Sequence, residues 1–122
     1  MARPPKTDGL AYFPHDSDAR HDYKLGALRH RFGAKGYAFY FILLEIVYQS
    51  PRAEVNAASQ DVIPFLAHEI GVTIDEFNEM LLYALNLELF SRNEWETEKN
   101  ITSIGIKRRF NAYAKRRVAQ QK

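Results

Sequence analysis

The stretch Thr73-Ile74-Asp75-Glu76-Phe77-Asn78-Glu79-Met80-Leu81-Leu82-Tyr83-Ala84-Leu85 decides the fold. Thr73 followed three residues later by Glu76 is a capping box, in which each side chain satisfies a backbone N–H that the helix start would leave free. Phe77, Met80, Leu81, Ala84 and Leu85 then recur at i, i+3, i+4, i+7 and i+8, one apolar stripe of a helix. Just before it, Ser59 can cap a helix running to about Ile70, with Val62, Phe65, Leu66 and Ile70 at helical spacing and Pro64 tolerated in its first turns. Gly71-Val72 breaks the two. Two short helices across a glycine turn form a helix-turn-helix.

On the C-terminal side, Leu89-Phe90 and Ile101-Thr102 flank a polar stretch, Ser91 to Asn100, and are expected to pair as a two-stranded wing with Trp95 folded back onto the body. A last helix, about Ser103 to Gln120, sets Ile106, Phe110 and Tyr113 on one side. On the N-terminal side, Tyr37 to Gln49 is apolar nearly all round, as a central helix must be. Its one charge, Glu45, is expected to pair with Arg29 or Arg31. A first helix, roughly Asp18 to Arg31, turns Tyr23, Leu25, Leu28 and Phe32 inward. The expected fold is mainly α, a winged helix-turn-helix of about five helices, with an extended arm over 1–12 and one domain over 13–120.

The chain has 122 residues and no cysteine, which excludes a disulfide framework, a cysteine zinc site and a thiol nucleophile. The start of the sequence has no long apolar core of the signal-peptide kind, so a cytoplasmic protein is expected. Its most apolar window, Tyr37 to Tyr48, is too short to span a bilayer.

The net charge of +2 conceals a segregation. Residues 1–53 carry +3, residues 54–98 carry −9 and residues 99–122 carry +8. A recognition helix in a major groove lies among phosphates, and Asp75, Glu76 and Glu79 would be repelled there. The better candidate for contact with DNA is the final helix with Lys107, Arg108, Arg109, Lys115, Arg116 and Arg117, helped by Arg29, Arg31 and Lys35. It would bind phosphates without reading bases. The competing readings are a solvated helix face, and an acidic protein surface that includes a second copy of the chain. Three apolar residues in that helix are too few for membrane insertion.

Two constellations have a plainer reading. His15, Asp18 and His21 could ligate a divalent ion, but aspartates here also serve as helix caps. Tyr37, Phe39, Tyr40, Phe41 and Tyr48 could stack on single-stranded bases, and read more simply as core. No phosphate loop or nucleophile elbow is present, so neither an enzyme nor a cofactor is expected.

The order of motifs resembles the N-terminal domain of phage and prophage DnaD-like replisome organisers. The matching pieces are Gly9 to Pro14 with Asp16 and Asp18, Leu28-Arg29 leading to Phe32-Gly33-Ala34-Lys35-Gly36, and Leu43 to Tyr48. The helix-turn-helix, Leu87 to Phe90, Ile101 to Ile106 and Arg108-Arg109-Phe110 complete the series. The resemblance implies a winged-helix domain without catalysis that helps assemble replication proteins on DNA and self-associates into an oligomer. Members of that family continue into a C-terminal domain that contributes DNA and partner binding. The alternative expectation is a protein-interaction or oligomerisation module with no direct contact to DNA.

Overall fold

A computed structural model describes residues 9–15, 17 and 19–120, with side chains through residue 116. Six helices and one small antiparallel sheet follow in the order α1 (Tyr23–Phe32), α2 (Ala34–Gln49), β1 (Val55–Asn56), α3 (Val62–Ile70), α4 (Ile74–Asn86), α5 (Arg92–Glu98), β2 (Asn100–Ile101) and α6 (Ile104–Gln120). Short 3-10 turns at Ala19–His21 and Pro51–Ala53 precede α1 and β1. The architecture is mainly helical with a small open sheet, consistent with a winged-helix type.

The central helix is α2, whose Phe39, Leu43, Leu44, Val47 and Tyr48 are buried among α1, α3 and α4. Helices α1 and α2 cross closely because Gly36 lacks a side chain. A Cβ there would stand 2.7 Å from the Leu28 carbonyl oxygen and 3.0 Å from the Phe32 Cβ. The helix-turn-helix forms as its sequence dictates. Gly71 closes α3 in the left-handed conformation at φ 88°, which glycine adopts without steric cost. The capping box of α4 is complete, with the Glu76 N–H on Thr73 Oγ1 at 3.0 Å and the Thr73 N–H on Glu76 Oε1 at 2.9 Å. All five stripe residues of α4 are buried.

Three outward side chains correct the sequence reading. Tyr23 is 85% exposed and Phe65 is 54% exposed, each lying off the stripe that its helix buries. Glu45 is exposed and has no ion pair among the described residues. Arg29 and Arg31 lie over aromatic rings instead, at 5.9 Å from the Tyr37 centroid and 4.7 Å from that of Tyr83. Helix α3 begins at Val62 behind Asp61, with Ser59 contributing only a turn through its carbonyl.

The wing pairs differently from expectation. The partner of β2 is β1, in the register Val55 opposite Ile101 and Asn56 opposite Asn100. Leu89-Phe90 is not a strand; one backbone bond, Ser91 N–H to Thr102 carbonyl at 2.8 Å, ties that end down. The intervening stretch is α5, capped by Ser91 Oγ on the Glu94 N–H. Trp95 does pack against the body, from this helix rather than from a loop. Leu10 is buried in the core, and its N–H bonds the Tyr48 carbonyl at 2.8 Å.

One electrostatic consequence is testable. The Glu76 carboxylate accepts the Thr73 N–H and the Lys35 ammonium at 2.9 Å, and these bonds hold its pKa below the ordinary 4.5. A carboxylate depressed by folding stabilises the fold above its unfolded pKa, and that contribution is lost as pH falls through the folded one. Urea titrations from pH 6 to pH 3 are expected to show a smaller loss of stability for Glu76→Gln than for the parent.

Candidate functional site

Helix α6 starts behind Ser103, whose Oγ accepts the Ile106 N–H at 3.0 Å. Ile106 and Phe110 are buried and Tyr113 is partly so, which fixes the rotation of the helix. With 3.6 residues per turn, Arg108 and Lys115 then share the face opposite the core. Arg109 and Arg116 form an adjacent strip. Each pair is seven residues apart, about 10 Å along the axis.

The basic side chains of α6 fall into two groups. Lys107 and Arg109 are tied to the body. The Lys107 ammonium meets Glu54 Oε1 at 2.5 Å, and Arg109 Nε donates to the Tyr48 hydroxyl at 3.1 Å. Arg108, Lys115 and Arg116 are exposed and have no carboxylate partner among the described residues. Arg116 leans over the Tyr113 ring at 5.8 Å. The backbone of Arg117 continues the helix; its side chain lies outside the described residues.

Arg29, Arg31 and Lys35 belong to a different corner. Arg31 and Lys35 are engaged with α4, through Tyr83 and Glu76. No hydrogen bond, ion pair or ring contact among the described residues links these three to α6.

Beside α6 lies an open cleft of about 1540 Å³, bordered by the start of α1, by α2, by the end of α4 and by the first turns of α6. Lys24, Tyr40, Phe41, Arg109 and Tyr113 line it, together with His15. Arg92, Asp22 and Glu88 also reach it. Arg92 is held by Glu96 and by Asn86, and Asp22 caps α1 by accepting the Leu25 N–H at 3.0 Å. Burial pushes the Tyr40 phenol above its ordinary value against the opposing charge of Arg109, so it is a neutral hydroxyl at physiological pH.

The aromatic series divides in the structure. Phe39 and Tyr48 are core, while Tyr40 and Phe41 are partly exposed at the cleft. His15 stacks on Phe41 with centroids 3.9 Å apart and planes 11° apart. Of the three residues weighed for a metal, Asp18 lies outside the described residues. Among the described residues no group of three or more His, Asp or Glu is placed to hold an ion.

Periodicity could not reveal the bonds Lys107 to Glu54 and Arg109 to Tyr48, which join residues 53 and 61 positions apart. It could have revealed α5, since Ser91 followed by Glu94 is a capping pattern. No helix among the described residues is long and apolar enough to cross a membrane.

No solved structure matches the chain. A curated relative is the uncharacterized phage-related protein Lin1244/Lin1753 of Listeria innocua serovar 6a, 28% identical over 110 residues. That alignment covers 90% of this chain and 35% of the relative, so the chain spans about a third of the relative's length. A family model described as Lin1244/Lin1753-like, N-terminal, matches residues 12–106 and ends one residue before the basic run of α6. With most of its length inside that match, the chain belongs to the Lin1244/Lin1753-like N-terminal family.

Proposed function

We propose that this chain is a non-catalytic DNA-binding and protein-interaction domain of a phage-type replication initiation protein, akin to the DnaD-like replisome organisers. It contacts phosphates through the outer face of α6. The observation that carries this reading is the strip of exposed Arg108, Lys115 and Arg116, free of carboxylate partners among the described residues. Unpaired cations about two turns apart suit a polyanion, and release of its counterions supplies affinity without base contacts. Lys107 and Arg109, already bonded to the body, contribute less to duplex binding. The acidic α4 stays away from the duplex. The replication role, with other replication proteins as partners, rests on the resemblance of the motif order to the DnaD-like replisome organisers; the relative adds a phage-related setting.

The triple variant Arg108→Ala/Lys115→Ala/Arg116→Ala tests this. Fluorescence anisotropy with random duplex DNA is expected to show at least a tenfold loss of affinity at low salt. The slope of log affinity against log salt is expected to fall by roughly two to three, since each lost phosphate contact removes about 0.9. An unchanged affinity and slope would sink the proposal.

A second reading, a protein-interaction module without DNA binding, is favoured by one observation. On the outer face of α4, Leu82, 55% exposed, follows Asp75 and Glu79 along one side of the helix, seven and three residues on. An exposed apolar side chain on the same face as two carboxylates suits a basic protein surface, including α6 of a second copy. Salt-sensitive self-association in sedimentation runs, with no duplex binding, would select this reading.

A further inference from the structure

We infer that the cleft beside α6 binds a single-stranded nucleic-acid segment, with a phosphate on the Arg109 guanidinium and a base stacked on His15. This rests on the proposal that the domain meets nucleic acid, and it assigns a second strand state to a different surface.

Arg109 differs from Arg108, Lys115 and Arg116 in being oriented from below, and from Lys107 in having no carboxylate partner among the described residues. Its Nε donates to the hydroxyl of Tyr48, a ring buried in the core and stacked on Phe13 with centroids 4.7 Å apart. The terminal nitrogens have no acceptor among the described residues, and they pass over Gly105, where even a Cβ would come within 3.4 Å of Nη1. The guanidinium is therefore held in place, with its two-nitrogen edge available to a phosphate or carboxylate. Little side-chain entropy remains to be lost on binding.

The base platform is adjacent along the chain. Phe13 packs on Tyr48, the partner of Arg109, and two residues later the exposed His15 lies flat on Phe41. A ring stacked on one face by Phe41 presents its other face as a shelf for a base. The Tyr40 hydroxyl lines the same cleft with no hydrogen-bond partner among the described residues, and none of their buried side-chain polar atoms is unpaired, so this hydroxyl reaches solvent. Lys24, with no ion pair among the described residues, and the positive end of the α6 dipole add positive potential, set against Asp22 and Glu88 on the same lining. The cleft, about 1540 Å³, exceeds what a small molecule fills and fits a polymer segment. An aromatic shelf in the same cleft as a fixed cation favours a strand with unpaired bases over an acidic peptide, which has no use for the shelf.

The test uses the whole chain, a fluorescein-labelled twelve-residue oligothymidylate, a random duplex of equal length, and poly-glutamate. Arg109→Lys keeps the charge and loses the fork; His15→Ala loses the shelf, and His15→Tyr restores an aromatic ring. Arg109→Lys and His15→Ala are each expected to weaken oligothymidylate binding about tenfold and duplex binding less than twofold, with His15→Tyr near the parent. Loss of duplex binding in the α6 triple variant, with oligothymidylate binding largely kept, separates this surface from the outer face. Unchanged oligothymidylate affinity in both Arg109→Lys and His15→Ala overturns the inference. So does poly-glutamate binding that equals the oligonucleotide and depends on Arg109 but not on His15. Matching far-ultraviolet spectra and melting temperatures establish that each variant is folded.

Discussion

Phe77→Ala is expected to cost about 3–5 kcal/mol of folding stability, the range for removing a buried aromatic side chain. Phe77 is fully buried on α4 and meets Phe39 of α2 edge to face, with centroids 5.4 Å apart. Truncation removes that contact and leaves a cavity where the helix-turn-helix joins the central helix. The loss is a large share of the roughly 5–15 kcal/mol that holds a domain of this kind together. Urea unfolding followed by circular dichroism gives the value. Leu82→Ala, on the opposite face of the same helix, is expected to change stability by less than about 0.5 kcal/mol. A Phe77→Ala cost below 1 kcal/mol would contradict the placement of this residue in the core.

Gly36→Val is expected to destabilise by about 3 kcal/mol, at the upper end for overpacking. The obstacle is backbone, the Leu28 carbonyl oxygen at 2.7 Å from an added Cβ, so no rotamer change relieves it. Helix α1 must move off α2. Gly26 is the control on α1, because an added Cβ there meets nothing within 4 Å. Gly26→Ala is expected to gain up to about 1 kcal/mol from helix propensity and a less flexible unfolded chain. Thermal melts of the two variants should therefore shift in opposite directions.

The contrast between α4 and the small sheet shows what was legible in the sequence. A stripe of five apolar residues repeats a physical period, and Thr73 with Glu76 marks where it begins, so α4 could be drawn nearly residue by residue. Strands of two residues carry no period. Leu89-Phe90 and Ile101-Thr102 were as good a pair on paper as Val55-Asn56 with Asn100-Ile101, and only the packed body decides between them. Tyr23 and Phe65 show a related limit, since hydrophobicity alone does not state which side of a short helix is buried. At the candidate site, the charge segregation and the basic helix were readable. The division of its cations was not, because Glu54 and Tyr48 reach Lys107 and Arg109 only through the tertiary fold.

The pairing of β1 with β2 also has a topological meaning. Residues 57–99 leave and re-enter the body through one two-rung ladder, extended by the Ala57 N–H on the Lys99 carbonyl at 2.8 Å and the Thr102 hydroxyl on the Ala53 carbonyl at 2.6 Å. The ends of this excursion are thus one strand spacing apart, about 5 Å. That is the geometry of a cassette, and nine of the chain's 15 acidic residues ride on it. Its inward side is committed, because Phe77 shares the core with Phe39. Its outward Asp75, Glu79 and Leu82 have no hydrogen bond or ion pair to α6 among the described residues, so substitutions there should leave the frame that carries α6 unchanged.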